Sequence, residues 1–304
     1  MTRPSSLRTH DMLGRKPRYA KDGLTVHSDP NGLRRVTKAL RGAGRRVTLV
    51  PTMGALHDGH RELMRRSRSI PGSTTVVSIF VNPRQFGPHE DFDRYPRAFE
   101  ADLEMCREEG VELVFAPDVE AMYPEGFSTS IDPGPLGDEL EGAVRPGHFA
   151  GMLTVVNKLF AIVVPDVVFF GEKDYQQLTL IRRMVRDLDI DVHVVGVATV
   201  REEDGLARSS RNAYLDDDGR RAAVAISAAL SAGQYAGEEG PAAVLAAAHA
   251  VLDAEPGLDV DYVELRDVDL GPAPEIGPAR LLIAARAGTT HLIDNAAVSV
   301  VRRV

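Results

Sequence analysis

Apolar residues in this chain fall first into short runs and then into spaced stripes, and the alternation repeats. Val47–Val50 is a short apolar run that ends at Pro51, and Arg61–Ser69 then has helical character. Thr75–Val81 is rich in Val and Ile, Phe99–Glu109 has helical spacing, and Glu112–Phe115 is again strand-like. Met152–Val163 reads as a helix, Val167–Phe170 as a strand, Leu178–Asp187 as a helix and Val192–Val200 as a closing strand. Strands that alternate with helices in this way predict an α/β fold, a Rossmann-like parallel sheet with helices on both faces. It is expected to occupy residues 21–200.

The pattern changes after about residue 200. Asp216–Gly219 is an acidic, turn-rich cluster, followed by alanine-rich helical segments at Arg221–Ala232 and Pro241–Ala254. Strand-like runs follow at Asp261–Leu265, Leu281–Ala285 and Leu292–Val301, and the prolines of Gly271–Gly277 mark a surface loop. A smaller C-terminal α+β domain is expected over 201–304. Residues 1–20 are expected to be a mobile tail: Arg3, Arg8, Arg15, Lys16 and Arg18 are not followed by the apolar region of a secretory signal.

Composition narrows the function classes. The net charge of -8 argues against a nucleic-acid binder, so any phosphate must meet a local basic site. The single cysteine, Cys106, has no partner for an internal disulfide and reads as a small packed residue; its isolation fits a cytoplasmic setting. The apolar runs Phe160–Val164 and Val167–Phe170 are separated by Pro165 and Asp166, and no segment has the length of a membrane span.

The richest chemistry lies in Pro51-Thr52-Met53-Gly54-Ala55-Leu56-His57-Asp58-Gly59-His60, between a predicted strand and a predicted helix. Ligands of open parallel sheets bind at the carboxyl ends of strands. Gly54 and Gly59 admit close backbone approach, and Asp58 can cap the helix, whose free N–H groups favour phosphate. His57 and His60, three apart, would share a helix face and can donate hydrogen bonds to a phosphate. Two surface histidines capping a helix would show the same spacing; the strand–turn–helix context and both glycines favour the phosphate site.

Two later segments repeat the theme. Gly171-Glu172-Lys173-Asp174 follows the strand Val167–Phe170 and brings a lysine to a strand end. Arg208-Ser209-Ser210-Arg211-Asn212 concentrates hydroxyls and guanidiniums suited to pyrophosphate oxygens.

The turn at Met53–His60 resembles the HIGH signature of class I aminoacyl-tRNA synthetases and related nucleotidylyltransferases, and Arg208–Asn212 resembles their mobile KMSKS-type loop. Further segments sharpen the resemblance: Val77–Phe86, Asp93–Arg97, Met122-Tyr123-Pro124, Glu141-Gly142, Arg145–Gly151, Phe169–Gln177, Ser209–Asn212 and Asp261–Glu264. In order and spacing these resemble the pantothenate synthetase family from about residue 25 to 300.

That resemblance implies an AMP-forming ligase. Pantoate would attack the α-phosphorus of ATP to give pantoyl adenylate and pyrophosphate, and β-alanine would then displace AMP to form the amide. It implies catalytic roles for His57, His60, Lys173, Ser209, Ser210 and Arg211. Met53, Gly54, Ala55, Leu56, Asp58, Gly59, Gly171, Glu172, Asp174, Val200 and Arg208 would complete the ATP site, with Val200 bordering adenine. Gln85 would meet pantoate and β-alanine, Gln177 pantoate; Asn82, Tyr95, Arg145 and His148 would surround the acceptor. Asp102 is implied for Mg2+, and the assembly as a homodimer. Because an acyl adenylate is prone to hydrolysis, the site should close during turnover, and the 201–304 domain with the Arg208 loop is expected to act as the lid.

One residue departs from the family pattern. Position 208, usually apolar there, is Arg, which can add a phosphate contact, point outward or weaken packing on the adenine side. Two other readings compete: a nucleotidylyltransferase that stops at AMP transfer to a phosphate, and a nucleotide- or tRNA-binding module without catalysis. Neutral Gln85 and Gln177 suit a hydroxyl-carboxylate acceptor better than a phosphate, and the intact His57, His60 and Lys173 suit catalysis.

Overall fold

The short apolar runs cannot satisfy their backbone groups alone, and the helices between them supply the crossovers that parallel pairing needs. The computed structural model describes Arg18–Tyr19, residues 23–88 and residues 90–301. In it β1 (Arg18–Tyr19), β2 (Thr25–His27), β3 (Arg46–Thr52), β4 (Ser73–Ile79), β5 (Leu113–Phe115), β6 (Val167–Gly171) and β7 (His193–Val197) form one sheet. Its order is β1-β2-β5-β4-β3-β6-β7. Six strands run parallel, and only β1 is antiparallel to its neighbour. From β3 the chain adds β4 and β5 on one side and then β6 and β7 on the other. The order therefore reverses between β3 and β6, and a crevice opens at their carboxyl ends.

Both faces of the sheet are buried. Leu49, Val76, Phe115 and Phe170 pack under the helix His148–Val163 on one face; Val50, Val77, Val114 and Phe169 meet Met64, Leu103 and Cys106 on the other. Strands covered on both faces read as unbroken apolar runs, which explains the pattern of β3 and β4.

The second sheet is antiparallel, in the order β10-β9-β8, with β8 Leu258–Asp267, β9 Gly277–Ala287 and β10 Thr290–Val300. The helices Asp217–Tyr235 and Pro241–Leu252 cover it, through Ala223, Ile226, Leu230, Val244 and Leu252. Leu282 of β9 and Leu270 belong instead to the core of the first sheet and join the two layers.

Several boundaries differ from the sequence reading, for local reasons. The strand expected at Val192–Val200 ends at Val197, and the one expected at Thr75–Val81 ends at Ile79. In both cases the apolar residues beyond the strand line a cavity instead of a sheet. Asp216–Gly219 is not a turn: Asp216 caps the helix through the Gly219 N–H, and Asp217 opens its first turn. The helix Pro30–Gly42, capped by Asp29, is not among the expected elements, because a threonine, Thr37, holds part of its buried stripe. The expected tail at 1–20 lies mostly outside the described residues. Its Arg18–Tyr19 pair departs from that expectation by forming the edge strand β1.

Candidate active site

The first wall of the crevice grows from the end of β3. Gly54 and Ala55 both have positive φ, 84° and 49°, which turns two successive N–H groups the same way. The Asp102 carboxylate receives them, from Ala55 at 3.0 Å and from Leu56 at 2.7 Å. A Cβ at Gly54 would lie 2.9 Å from the Asp102 carboxylate, so glycine is needed for steric as well as torsional reasons. Burial raises the Asp102 pKa, and the two backbone bonds oppose that rise.

The following helix, Asp58–Arg68, is capped by His57, not by Asp58 as the sequence suggests. His57 Nδ1 accepts the Gly59 N–H at 3.1 Å, and His60 Nδ1 accepts the His57 N–H at 3.2 Å. Gly59 is required here too, since a Cβ would lie 2.8 Å from the His57 ring. With both Nδ1 atoms accepting, each neutral imidazole carries its proton on Nε2. Burial, aided by Lys173, lowers the His57 pKa to about 4. Burial and the neighbouring His57 hold His60 well below the ordinary histidine value. At neutral pH the pair is therefore two uncharged N–H donors that line the cavity.

The facing wall comes from β6. Gly171, Lys173 and Asp174 line the cavity, while the Glu172 side chain turns away to Arg280 at 3.1 Å. The buried Asn295 of β10 donates to the carbonyls of Glu172 and Lys173, at 2.9 and 2.8 Å. The second sheet thus fixes the lysine loop. At the end of β7, Val197 and the three residues after it, Ala198–Val200, complete this side.

The Arg208–Arg211 segment closes the mouth. Ser210 donates to the Ala55 carbonyl at 3.0 Å, and Ser209 Oγ accepts the Arg211 N–H at 3.3 Å. Both guanidiniums have carboxylate partners. Arg208 reaches Asp58 at 2.9 Å and Glu202 at 3.0 Å, and Arg211 forks onto Asp91 at 3.1 and 3.0 Å. Burial pushes the Asp91 pKa up, but the Arg211 hydrogen bonds and charge outweigh it and hold the carboxyl below the usual range. Tyr95 stands against the Arg211 guanidinium, 6.0 Å from its ring centre.

The far end of the cavity is polar but almost uncharged. Asn82 and Gln85 are buried, Gln85 against Met53, and Gln177 lines the same space. Arg145 is neutralised by both oxygens of Glu90. His148 Nδ1 donates to the Gln85 carbonyl at 2.8 Å, which leaves its Nε2 to accept from Arg145 at 3.2 Å. Burial and Arg145 lower the His148 pKa to about 4, so it too is neutral.

One cavity thus collects Met53, His57, Gly59, His60, Gln85, Lys173, Gln177 and the Arg208–Arg211 segment, with Asn82, Tyr95, Arg145, His148 and Val200 around them. Gly54, Ala55, Leu56, Asp58, Glu172 and Asp102 do not line it; they shape its walls from behind. Sequence reasoning missed Glu90, Asp91 and Asn295 as partners of site residues. Each acts across a long chain separation and carries no local motif.

The sequence matches the family described as pantoate-beta-alanine ligase over residues 25–297. It is 61% identical over 288 residues to the pantothenate synthetase of Mycolicibacterium smegmatis, covering 95% of this chain and 92% of that protein. It is 64% identical over 281 residues to that of Nocardia farcinica, covering 92% and 88%. Among solved structures, the pantothenate synthetase of Thermus thermophilus superposes with a TM-score of 0.83 at 46% identity, covering 89% of this chain and 98% of that one. The pantoate-beta-alanine ligase of Francisella tularensis, solved with beta-gamma ATP and beta-alanine, gives 0.76 at 31% identity, covering 90% and 97%.

Proposed function

This chain belongs to the pantoate–β-alanine ligase family, and from that premise we propose how its residues divide the reaction. The enzyme condenses pantoate with β-alanine at the expense of ATP, through an acyl adenylate, releasing pyrophosphate and AMP. Two nucleophilic attacks are needed. Carboxylate oxygen first displaces pyrophosphate from the α-phosphorus; the amine nitrogen then displaces AMP from the activated carbonyl and loses its proton.

ATP is assigned to the crevice between the ends of β3 and β6. His57 and His60 offer Nε2–H donors from one wall and Lys173 offers a cation from the other, so negative charge that builds on the phosphates is met from both sides. This convergence is the observation that carries the reading. Adenine is assigned to the Val197–Val200 side. Ser209, Ser210 and Arg211 are assigned to the leaving pyrophosphate, which would draw Arg211 from Asp91. Pantoate is assigned to the uncharged end, where Gln85 and Gln177 can read hydroxyl and carboxylate oxygens. Asn82, Tyr95, Arg145 and His148 frame that end and the approach of β-alanine.

Magnesium is read as a companion of ATP, whose phosphate oxygens and water suit it and whose charge it would partly neutralise. Asp102 is the carboxylate the family resemblance offers to it, yet both its oxygens already accept backbone N–H groups. No cluster of three His, Cys, Asp or Glu side chains is positioned to hold a metal among the described residues. We therefore assign Asp102 first to the shape of the turn. A homodimer, a cytoplasmic setting and closure by the 201–304 region are further parts of the proposal. No helix among the described residues is long and apolar enough to cross a membrane.

The test is amide formation with ATP, pantoate and β-alanine, each omitted in turn, together with His60→Ala assayed for pyrophosphate release. Loss of one positioned donor should slow release about 10²–10³-fold. An unchanged rate would remove His60 from the site.

A further inference from the structure

The buried amide of Asn82 makes four hydrogen bonds, and two of them fix which end is which. Its Oδ1 accepts the backbone N–H of Arg84 at 3.3 Å, and its Nδ2 donates to the Gly151 carbonyl at 3.2 Å. Neither backbone partner can reverse its role, so the amide cannot be flipped. The second Nδ2 hydrogen goes to Gln85 Oε1 at 2.9 Å. Gln85 is thereby oriented as well: its oxygen is occupied, and its Nε2 faces Met53 Sδ at 3.3 Å. A thioether is a weak acceptor, so Gln85 is left with donor capacity on the cavity side.

The shortest of the four bonds comes from outside the cavity. Tyr123, at the end of the helix Val119–Met122, donates its hydroxyl to Asn82 Oδ1 at 2.7 Å. Burial pushes the phenol up to about 12, so it keeps its proton at physiological pH. Its ring is held independently. Phe80 and Phe127 pack beside it at 6.1 and 5.0 Å, and Arg84 and Lys158 sit 5.5 and 5.8 Å from its centre.

We propose that Tyr123 is a positioning residue for the acid substrate: it pins Asn82, and Asn82 turns the Gln85 amide so that N–H, not oxygen, faces the cavity. The group read at Gln85 is then a hydrogen-bond acceptor, a carboxylate or hydroxyl oxygen of the acid. This assignment rests on the reading of that end of the cavity as the pantoate site. Tyr123 does not line the cavity, so its effect must pass through Asn82, and by this assignment on to Gln85.

The experiment is a double-mutant cycle of Tyr123→Phe and Gln85→Leu, with KM measured separately for pantoate and for ATP. Tyr123→Phe keeps the ring and its two cation contacts and removes one oxygen. It is expected to raise the pantoate KM about fivefold to tenfold, the scale of one lost hydrogen bond, with the ATP KM unchanged and the unfolding temperature lowered by no more than a few degrees. In the Gln85→Leu background the same change should have no further effect on the pantoate KM. A wild-type pantoate KM for Tyr123→Phe, an equal rise for both substrates, or an undiminished effect without Gln85 would each overturn the assignment while leaving the site reading intact. A wild-type protein with no pantoate-dependent activity would overturn the site reading and this assignment with it.

Discussion

Arg208 Nη1 lies 2.9 Å from Asp58 Oδ2, so the segment that closes the site is tied to the first turn of the helix that starts it. The other Arg208 nitrogen binds Glu202 at 3.0 Å. Without Arg208, the Asp58 carboxylate would be met only by Arg61, at 3.5 Å, close to where the ATP phosphates are assigned. On this reading Arg208 would act first as a screen and only secondarily as a phosphate contact. Both partners are partly exposed, which limits the pair to about 1 kcal/mol or less. Arg208→Met should raise the ATP KM up to about fivefold and leave the pantoate KM near wild type. Initial rates against each substrate check this, and the effect should shrink as salt is added.

Arg211 makes a stronger version of the same contact, two hydrogen bonds to a largely buried Asp91. Asp91→Ala leaves a guanidinium without its anion, at a cost of about 2 kcal/mol by the usual range for hydrogen bonds to charged groups. Denaturant unfolding measures that loss. The same pair bears on closure. If pyrophosphate oxygens draw Arg211 away from Asp91, the loop must shift, and ATP with pantoate should compact the molecule in solution scattering. An unchanged radius of gyration would argue against a moving 201–304 region.

The buried histidines predict how stability varies with pH. His57 and His148 have values of about 4 against an ordinary 6.5. Between those two values each is neutral when folded and protonated when unfolded, so unfolding takes up a proton. Their stabilising contribution is complete above about pH 6.5 and is lost as the pH falls towards about 4. Each adds a slope of about 1.4 kcal/mol per pH unit inside that window. His148→Gln should therefore flatten the stability profile between about pH 6.5 and 5 by one proton's worth. Equilibrium unfolding at a series of pH values decides it, and an unaltered slope would mean that His148 is not held neutral.

What can be read from the sequence is local. β3 and the Met53–His60 turn announce themselves because an apolar run, two glycines and a helix succeed one another within a few residues, and Lys173 is found by the same logic after β6. The helix cap is misread because Asp is the commoner capping residue, whereas here Asp58 is taken by Arg208 and the imidazoles do the capping. What escapes are contacts between distant positions. Arg211 and Asp91 are 120 residues apart, and Asn295 and Lys173 are 122 apart. Periodicity reports burial against a core, not which of two loops will meet. For the same reason the guanidiniums of Arg208 and Arg211 look free for phosphate in the sequence when each already has a carboxylate partner.

The two roles open to Asp102 can be separated by one substitution. As a backbone anchor, Asp102 needs two acceptor oxygens, for Ala55 at 3.0 Å and Leu56 at 2.7 Å. Asn supplies one, so Asp102→Asn should leave one N–H of the turn facing an amide NH2 and disturb the left-handed Gly54–Ala55 step. That N–H lies next to the capped histidine pair, and misplacing the pair by a fraction of an ångström weakens both Nε2–H donors at once. The expected result is a fall in kcat/KM for ATP of about tenfold or more, from one unsatisfied buried donor at about 1–3 kcal/mol. Loss of a metal ligand would instead weaken magnesium dependence, and excess Mg2+ would restore much of the rate. We expect the magnesium titration midpoint of Asp102→Asn to match wild type and high Mg2+ to restore nothing. A midpoint displaced to higher Mg2+, with rescue at saturation, would move Asp102 from the turn to the metal.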